Sequence, residues 1–301
     1  GLQELLDKHE IVHHKEVNLS DYSYAKTGGQ AAFIVSPQSL DLLELCLQFF
    51  AKTNLSFRVI GATSNILFRD EKSYGVFLTT ENLKDIQYDR SSSEITVFAG
   101  VMLTDFVHYV VDRSVAGFEN LVGIPGTMGG AIYMNAGSFR CEIKDHLKYV
   151  MVMRYDGSQV KMELEDLDMS WRHSIFMDKD LGVIVSATFH RQEGNYEKIN
   201  EEMNRWQKWR DTHLESVYPH LGSIFATKDI YAHIAENHKL YKALLWLVRK
   251  CFSGNMNPRN NSRLAKLTAS YFGLNKKRMP YSNYTLNTFV NQNIGSARII
   301  E

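Results

Sequence analysis

Apolar positions along the chain recur at two spacings. Leu40, Leu43, Leu47 and Phe50 follow the helical period, and Ser36 and Pro37 just ahead of them suit an N-cap and first turn. Phe57 to Ile60 is a short extended run that feeds the loop Gly61-Ala62-Thr63-Ser64-Asn65, and Glu94 to Phe98 predicts another strand. A short helix follows, with Thr104 as its cap and Val107, Val110 and Val111 facing inward. Tyr149 to Tyr155 is β-rich, and the Asp156-Gly157 pair after it predicts a hairpin turn. Leu181 to His190 predicts a further strand. After Asn195 the period is helical again: Ile199, Met203 and Trp206 share a face, and Glu201 and Arg205 are spaced to pair on the surface.

Strands and helices thus mix without regular βαβ spacing. No Gly-x-Gly-x-x-Gly joins a strand to a helix, so a doubly wound dinucleotide fold is not expected. A domain boundary is expected near Gly194. Residues 228 to 262 form a polar and aromatic segment that contains the amphipathic run Lys242 to Phe252. A length of 301 residues allows two domains with a full core. Charge is balanced at 34 basic and 34 acidic residues, which argues against a protein-wide field for nucleic acid or membrane. The run Lys276-Lys277-Arg278 is short enough to be a solvated loop. Cys46, Cys141 and Cys251 are far apart, without zinc spacing, and suit buried thiols in a reducing compartment. No metal site, signal pattern or membrane-length apolar run is read from the chain; Ala243 to Val248 is the most apolar stretch.

Candidate chemistry gathers in Gly123 to Phe139, GIPGTMGGAIYMNAGSF, where five glycines and one proline stand in seventeen residues. Main-chain amides in successive tight turns line an anion site, and missing Cβ atoms allow a diphosphate close approach. The lysine of a nucleotide-hydrolysing loop is absent, so a phosphate would be held and not transferred. Gly123, Gly126, Gly129 and Gly130 supply the surface, Thr127 adds a hydroxyl, and Asn135 follows an expected short strand, Ala131 to Met134. The loop Gly61 to Asn65, after a predicted strand, offers the same chemistry; each loop taken alone reads more often as a set of turns than as a nucleotide site, and two such loops abutting strands bring the two readings level.

The long glycine motif resembles the flavin-binding signature of the UDP-N-acetylenolpyruvoylglucosamine reductase (MurB) family. TGGQAAF at Thr27, GATSNILF at Gly61, AGVMLTDFVHYVV at Ala99, WRHSIF at Trp171, LGSIFAT at Leu221 and LNTFVN at Leu286 resemble further family segments in order. The resemblance implies an α+β fold: an FAD-binding region of the FAD-linked oxidase/reductase (PCMH-like) type over residues 1–190, in two α/β subdomains with a boundary near 75. A C-terminal α/β substrate domain over 191–301 would follow, with 228–262 as an insertion. It implies FAD on Gly61, Ala62, Thr63, Ser64, Asn65, Gly123, Ile124, Pro125, Gly126, Thr127, Gly129, Gly130 and Asn135. NADPH would reduce the flavin, and UDP-N-acetylglucosamine enolpyruvate would then be reduced to UDP-N-acetylmuramate for peptidoglycan. By the same resemblance Ser223 is the proton donor, Arg172 faces the enolate and carboxylate, and Asn287 belongs with them at the substrate. A monomer in the bacterial cytoplasm, with small-molecule partners only, is expected.

The chain also departs from the family pattern. Trp171 stands where tyrosine is usual, and Ala226 and Thr227 stand where lysine and asparagine are usual, with Lys228 two positions late. The family's final helix and strand, with a catalytic glutamate, would lie past Glu301, so a C-terminally incomplete substrate domain is expected and no role passes to Glu301. These departures leave two alternatives: a flavoenzyme with another substrate, or a flavin-binding homologue without turnover. His173 and His190 are expected to be structural.

Overall fold

The computed structural model describes residues 1–89, 91–225, 229–251, 262–274 and 280–292. The chain opens with α1 (Leu2–Lys8), which buries Leu6, and β1 (Val12–Asn18). In α2 (Leu19–Tyr22) the Asn18 side chain accepts from the Ser20 amide. β2 (Gln30–Ser36) leads into α3 (Leu40–Thr53), which buries Leu43, Cys46, Leu47 and Phe50 as the apolar spacing predicts. Its cap is Ser39 and not Ser36. Ser39 Oγ accepts from Leu42 N at 3.2 Å, while Ser36 ends the strand and donates its hydroxyl to Glu81 at 2.7 Å. Two serines satisfied the capping rule, and a distant carboxylate decided between them.

β3 (Phe57–Ile60) and β4 (Tyr74–Thr79) pair in parallel, and the first sheet has the order β1-β2-β4-β3. Parallel strands need crossovers, and α3 lies in the one from β2 to β3, which flank β4 on its two sides. Val35, Val76 and Leu78 from this sheet pack with Leu6, Leu43, Leu47 and Phe50 in one core.

The second sheet is antiparallel, in the order β11-β10-β12-β6-β5. Its strands are β5 (Ile86–Asp89), β6 (Glu94–Phe98), β10 (Leu147–Met153), β11 (Gln159–Glu163) and β12 (Val183–His190). The passage from the first sheet to the second comes after Thr79, beyond the residue near 75 expected. Between β6 and β10 lie α4 (Leu103–Val111), β7 (Val115–Ala116), α5 (Met128–Tyr133), β8 (Gly137–Ser138) and β9 (Cys141–Glu142); β13 (Gln192–Glu193) pairs with β7. The Asp156-Gly157 turn joins β10 to β11, with Gly157 at φ +91° and Arg154 N donating to Ser158 O at 2.8 Å. Thr104 is not the cap of α4. Met102 holds that place, and Thr104 Oγ1 in the first turn donates to Ile124 O at 3.4 Å.

β12 is buried at seven successive positions, and the two cores explain why. Val183 and Val185 pack with the first core, while Ile184, Ala187 and Phe189 pack with the second, beside Phe106, Val107, Val110 and Met128. Alternation would keep Val185 and Ala187 on one face. Met151 pairs with Ser186 and Val152 with Ile184, which leaves Val185 as an extra residue and turns the strand over between them.

α6 (Tyr196–His213) buries Ile199 and Met203, and its Trp206 stacks on Phe139 with centroids 3.9 Å apart. Arg205 pairs with Glu202 and not with Glu201, since both i−3 and i−4 lie within reach on a helix. α7 (Ile230–Ala235), α8 (Lys239–Cys251) and α9 (Ser262–Tyr271) share a third core of Tyr231, Tyr241, Leu245, Leu264 and Ala265. α8 covers the amphipathic run as far as Cys251; Phe252 lies outside the described residues. Cys46 and Cys141 are buried as expected, but Cys251, at the end of α8, is exposed.

The chain forms two compact units. One comprises Gly1–Val17, Gln30–Thr63 and Ser73–Lys208; the other comprises Asn18–Gly29, Ser64–Lys72 and Trp209–Glu301. Two contiguous stretches meeting near 190 are expected from sequence. Here the division falls inside α6, and the second unit takes two segments from the first 72 residues. Among the described residues no helix is long and apolar enough to cross a membrane.

Candidate functional site

The run after the glycine loop is helical, not extended. Thr127 Oγ1 accepts from Gly130 N at 3.4 Å, and Ala131 N donates to Thr127 O at 2.9 Å, which closes an α-turn. Met128, Ala131 and Ile132 then fall on one buried face of α5. The branched and aromatic side chains suggested a strand, but the threonine cap and helical burial overrode them. Gly123 at φ +71° and Gly126 at φ +136° shape the loop ahead of the cap, in conformations that residues with a Cβ rarely adopt.

The first amides of α5 are already engaged. Met128 N donates to Val101 O at 2.8 Å and Gly129 N to Ala99 O at 2.9 Å, so this helix end is tied to the chain after β6. The amides of Gly61, Ala62, Gly126 and Thr127, by contrast, make no hydrogen bond among the described residues. The two glycine loops also meet: a Cβ built on Gly61 would lie 2.5 Å from Thr127 Oγ1. Gly129 is likewise close to Ala99, at 3.0 Å from a built Cβ, whereas Gly130 is exposed and meets only Thr127 Oγ1 at 3.6 Å. Ile124 is partly buried and Pro125 exposed at the rim. Thr63, at φ +56°, ends the segment that belongs to the first unit; Ser64 and Asn65 belong to the second. Unpaired main-chain donors on two adjoining loops fit a group with phosphate oxygens.

Asn135 is fully buried at φ +44°, and all its amide capacity faces protein groups. Nδ2 donates to Ser170 O at 2.7 Å and Glu142 Oε2 at 3.0 Å, and Oδ1 accepts from Lys144 N at 3.1 Å. It holds the base of a tight turn, closed by reciprocal 3.2 Å bonds between Ser170 and His173. Trp171, 56% exposed, and Arg172, at φ +60°, form the crest of that turn. Arg172 Nη2 donates to Gly137 O at 2.7 Å, so the guanidinium is fixed to β8 at the end of the glycine motif.

Behind the turn, His173 Nδ1 lies 3.2 Å from Asp168 O, and Nε2 lies 2.9 Å from Asp178 Oδ2. The Asp168 carbonyl first, and the Asp178 carboxylate second, raise the His173 pKa above its ordinary value. Asp168, His173 and Asp178 bring ligand-type atoms within 4.8 Å of one another, a grouping that the sequence reading did not anticipate. Both ring nitrogens are already taken by these contacts, which suits the structural role expected for His173.

Ser223 lies in the second unit, exposed, in a loop fixed on both sides. Before it, Gly222 at φ +75° donates its N–H to His220 Nδ1 at 2.9 Å. After it, Ile224 N donates to Asn287 O at 2.8 Å, Phe225 N to Asn287 Oδ1 at 2.7 Å, and Asn287 Nδ2 to Phe225 O at 2.9 Å. In the same unit buried Asn291 donates to Ala25 O at 2.9 Å and Lys26 O at 2.8 Å, just before the Thr27-Gly28-Gly29 segment. His220 and Asn291 carry no expectation from sequence; for Asn291 the available signal is its place in the LNTFVN segment. Ala226, Thr227, Lys228, the Lys276-Lys277-Arg278 run and Glu301 lie outside the described residues.

Residues 31–163 match a family described as FAD binding domain. The chain is 30% identical over 220 residues to the UDP-N-acetylenolpyruvoylglucosamine reductase of Lactobacillus acidophilus, covering 73% of each. It is 32% identical over 207 residues to the enzyme of that name from Enterococcus faecalis, covering 69% of this chain and 68% of the relative. Among solved structures it is similar to UDP-N-acetylenolpyruvylglucosamine reductase (MurB) from Thermus caldophilus. That likeness has a TM-score of 0.66 and 22% identity, over 96% of this chain and 91% of the other.

Proposed function

The chain belongs to the UDP-N-acetylenolpyruvoylglucosamine reductase family, and from that premise we propose that it binds FAD and reduces UDP-N-acetylglucosamine enolpyruvate to UDP-N-acetylmuramate, with NADPH as reductant. The observation that carries the reading is the meeting of two glycine loops with unpaired amides, Gly61-Ala62 and Gly126-Thr127. Gly61 and Gly126 give a diphosphate close access, and the Thr127 hydroxyl sits between the loops. Gly123, Ile124, Pro125, Gly129 and Gly130 shape this wall, and Thr63, Ser64 and Asn65 extend the other loop. When bound, FAD supplies the hydride chemistry, taking hydride from the nicotinamide and delivering it to the terminal vinyl carbon.

What remains for the protein is charge and a proton. Addition of hydride leaves an electron pair at the carbon beside the carboxylate, shared with the carboxylate as an enolate. Arg172, held by Gly137 O on an exposed turn, brings a permanent cation of planar shape to that charge. Ser223 gives its proton to the same carbon, which completes addition of H–H across the double bond. A hydroxyl is a weak acid, yet a carbanion is a strong enough base to take its proton at hydrogen-bond distance. Asn135 acts on the Arg172 turn through Ser170 O, as a positioning residue and not as a direct ligand of the flavin. A small-molecule enzyme of peptidoglycan precursor synthesis, in a bacterial cytoplasm, follows from the same premise.

Anaerobic stopped-flow separates the two halves. The FAD-loaded protein is expected to be reduced by NADPH and reoxidised by the enolpyruvyl sugar nucleotide. Ser223→Ala should leave the first half close to wild type and slow the second severely; equal loss in both halves refutes the assignment. A yellow protein reoxidised by oxygen but not by the enolpyruvyl nucleotide would favour a flavoenzyme with another substrate, the reading that Ala226 and Thr227 favour. A yellow protein reduced by NADPH but reoxidised by neither would be a flavin-binding homologue without turnover.

A further inference from the structure

Among the described residues, the Leu221–Phe225 loop hydrogen-bonds to the rest of the second unit through His220 and Asn287, on either side of Ser223 along the chain. On its entry side Gly222 N–H can only donate, so the His220 ring accepts at Nδ1 and carries its proton at Nε2, which reaches Glu215 O at 3.0 Å. His220 is held in turn by a bridge to Val290, and the carboxylate of buried Glu215 accepts from Val217 N and from Ser282 Oγ, each at 3.1 Å. On its exit side Asn287, 6% exposed, closes a two-bond ring on the Phe225 peptide and accepts from Ile224 N through its own carbonyl. Both oxygen and nitrogen of the Asn287 amide are therefore engaged by the loop backbone, and little of the side chain is exposed to meet a substrate.

Gly222 has nothing within 4 Å of a built Cβ, so its φ of +75°, and not crowding, is what calls for glycine. Packing enters the loop at its exit, where the Phe225 ring meets Phe289 edge-on with centroids 6.2 Å apart, while next to Ser223 the backbone is held by those bonds. We infer that His220 and Asn287 are positioning residues for Ser223: they fix the loop backbone on both sides of the serine, and Asn287 does so in place of the substrate contact expected from sequence. The inference rests on the proposal that Ser223 is the proton donor. Proton transfer needs the hydroxyl at hydrogen-bond distance from one carbon, so a loop displaced by about an ångström forfeits on the order of a hundredfold in rate.

The test uses the FAD-loaded full chain, reduced by NADPH and then mixed with the enolpyruvyl sugar nucleotide. Asn287→Ala should lower the saturating rate of flavin reoxidation by about tenfold to a hundredfold, with little change in half-saturating substrate concentration and none in flavin reduction. Asn287→Asp, which keeps the acceptor for Phe225 N, should fall between. His220→Ala should act in the same sense, and His220→Asn, which restores an acceptor near Gly222, should recover part of the rate. In a Ser223→Ala background, Asn287→Ala should cost almost nothing more, because no donor is left to position. If Asn287→Ala slows reoxidation equally with and without Ser223, or raises only the half-saturating concentration, the positioning role is overturned. If Ser223→Ala does not slow reoxidation at all, the proton-donor reading fails first, which is a separate outcome. Should Asn287→Ala lose its flavin or its circular dichroism, the His220→Ala and His220→Asn pair decides by the same criteria.

Discussion

The sharpest test of the cradle is a single methyl group on Gly61. Its built Cβ would stand 2.5 Å from Thr127 Oγ1 but 3.7 Å from Thr127 Cβ, so the clash is with the hydroxyl alone. Thr127 is 3% exposed, and the same hydroxyl caps α5, so it cannot rotate away without releasing Gly130 N. Overpacking of this kind costs about 1–3 kcal/mol, and loss of a cap adds about 0.5–2 kcal/mol. Gly61→Ala should therefore destabilise the flavin-free protein by roughly 2–4 kcal/mol and weaken FAD binding, because the two loops are wedged apart. Thr127→Ala alone should cost only the cap, about 1 kcal/mol. In the double variant the remaining contact is an ordinary one, so its cost should fall to about that of Thr127→Ala alone, below the sum of the singles by roughly 2–4 kcal/mol. Urea denaturation of the four proteins, and titration with FAD followed by flavin fluorescence, measure both quantities. Strictly additive costs would mean that the loops do not touch at these atoms, and the site argument would fall with them.

Other expectations are independent of that one. Asn135→Ala removes the partners of Ser170 O and Lys144 N together and puts alanine at φ +44°. It should cost about 2–4 kcal/mol in thermal or urea unfolding, and a loss under about 1 kcal/mol would deny it the role of tying the Arg172 turn. Burial pushes the Cys46 and Cys141 thiols up to about 12, with nearby carboxylates adding to the effect at Cys141, whereas Cys251 is exposed. Titration of the native protein with an aromatic disulfide near neutral pH should show one fast thiol, and Cys251→Ser should abolish that phase; its persistence would contradict the burial. For His173, whose folded pKa is raised, the stabilising contribution is complete below the ordinary 6.5 and is lost as pH rises through the folded value. Asp178→Asn should move the pKa down toward 6.5 in an NMR titration of the ring protons, and an unmoved value would place the cause elsewhere.

Much of the first unit was legible in residue order because its signals are local. The stripe of α3, the limits of β3 and β6, and the Asp156-Gly157 hairpin each depend on neighbours within a few positions. The readings that failed were choices between equivalent local options. Ser36 and Ser39 both satisfy a cap, Glu201 and Glu202 both reach Arg205, and the run from Ala131 suits a strand until Thr127 closes a turn beneath it.

Sequence by itself determined the glycine loops, their lack of a phosphate-transferring lysine, the segments shared with the reductase family, and the residue types at the candidate site. Only the tertiary structure decided that Gly61 abuts Thr127, that Asn135 and Asn287 hold backbone, and that β12 serves two cores across a bulge. It also decided that residues 18–29 and 64–72 belong with the C-terminal unit. The reason is physical. Periodicity and turn chemistry are properties of short stretches, whereas a close approach or a hydrogen-bond partner far along the chain is set by how whole elements pack, and no local pattern encodes that choice.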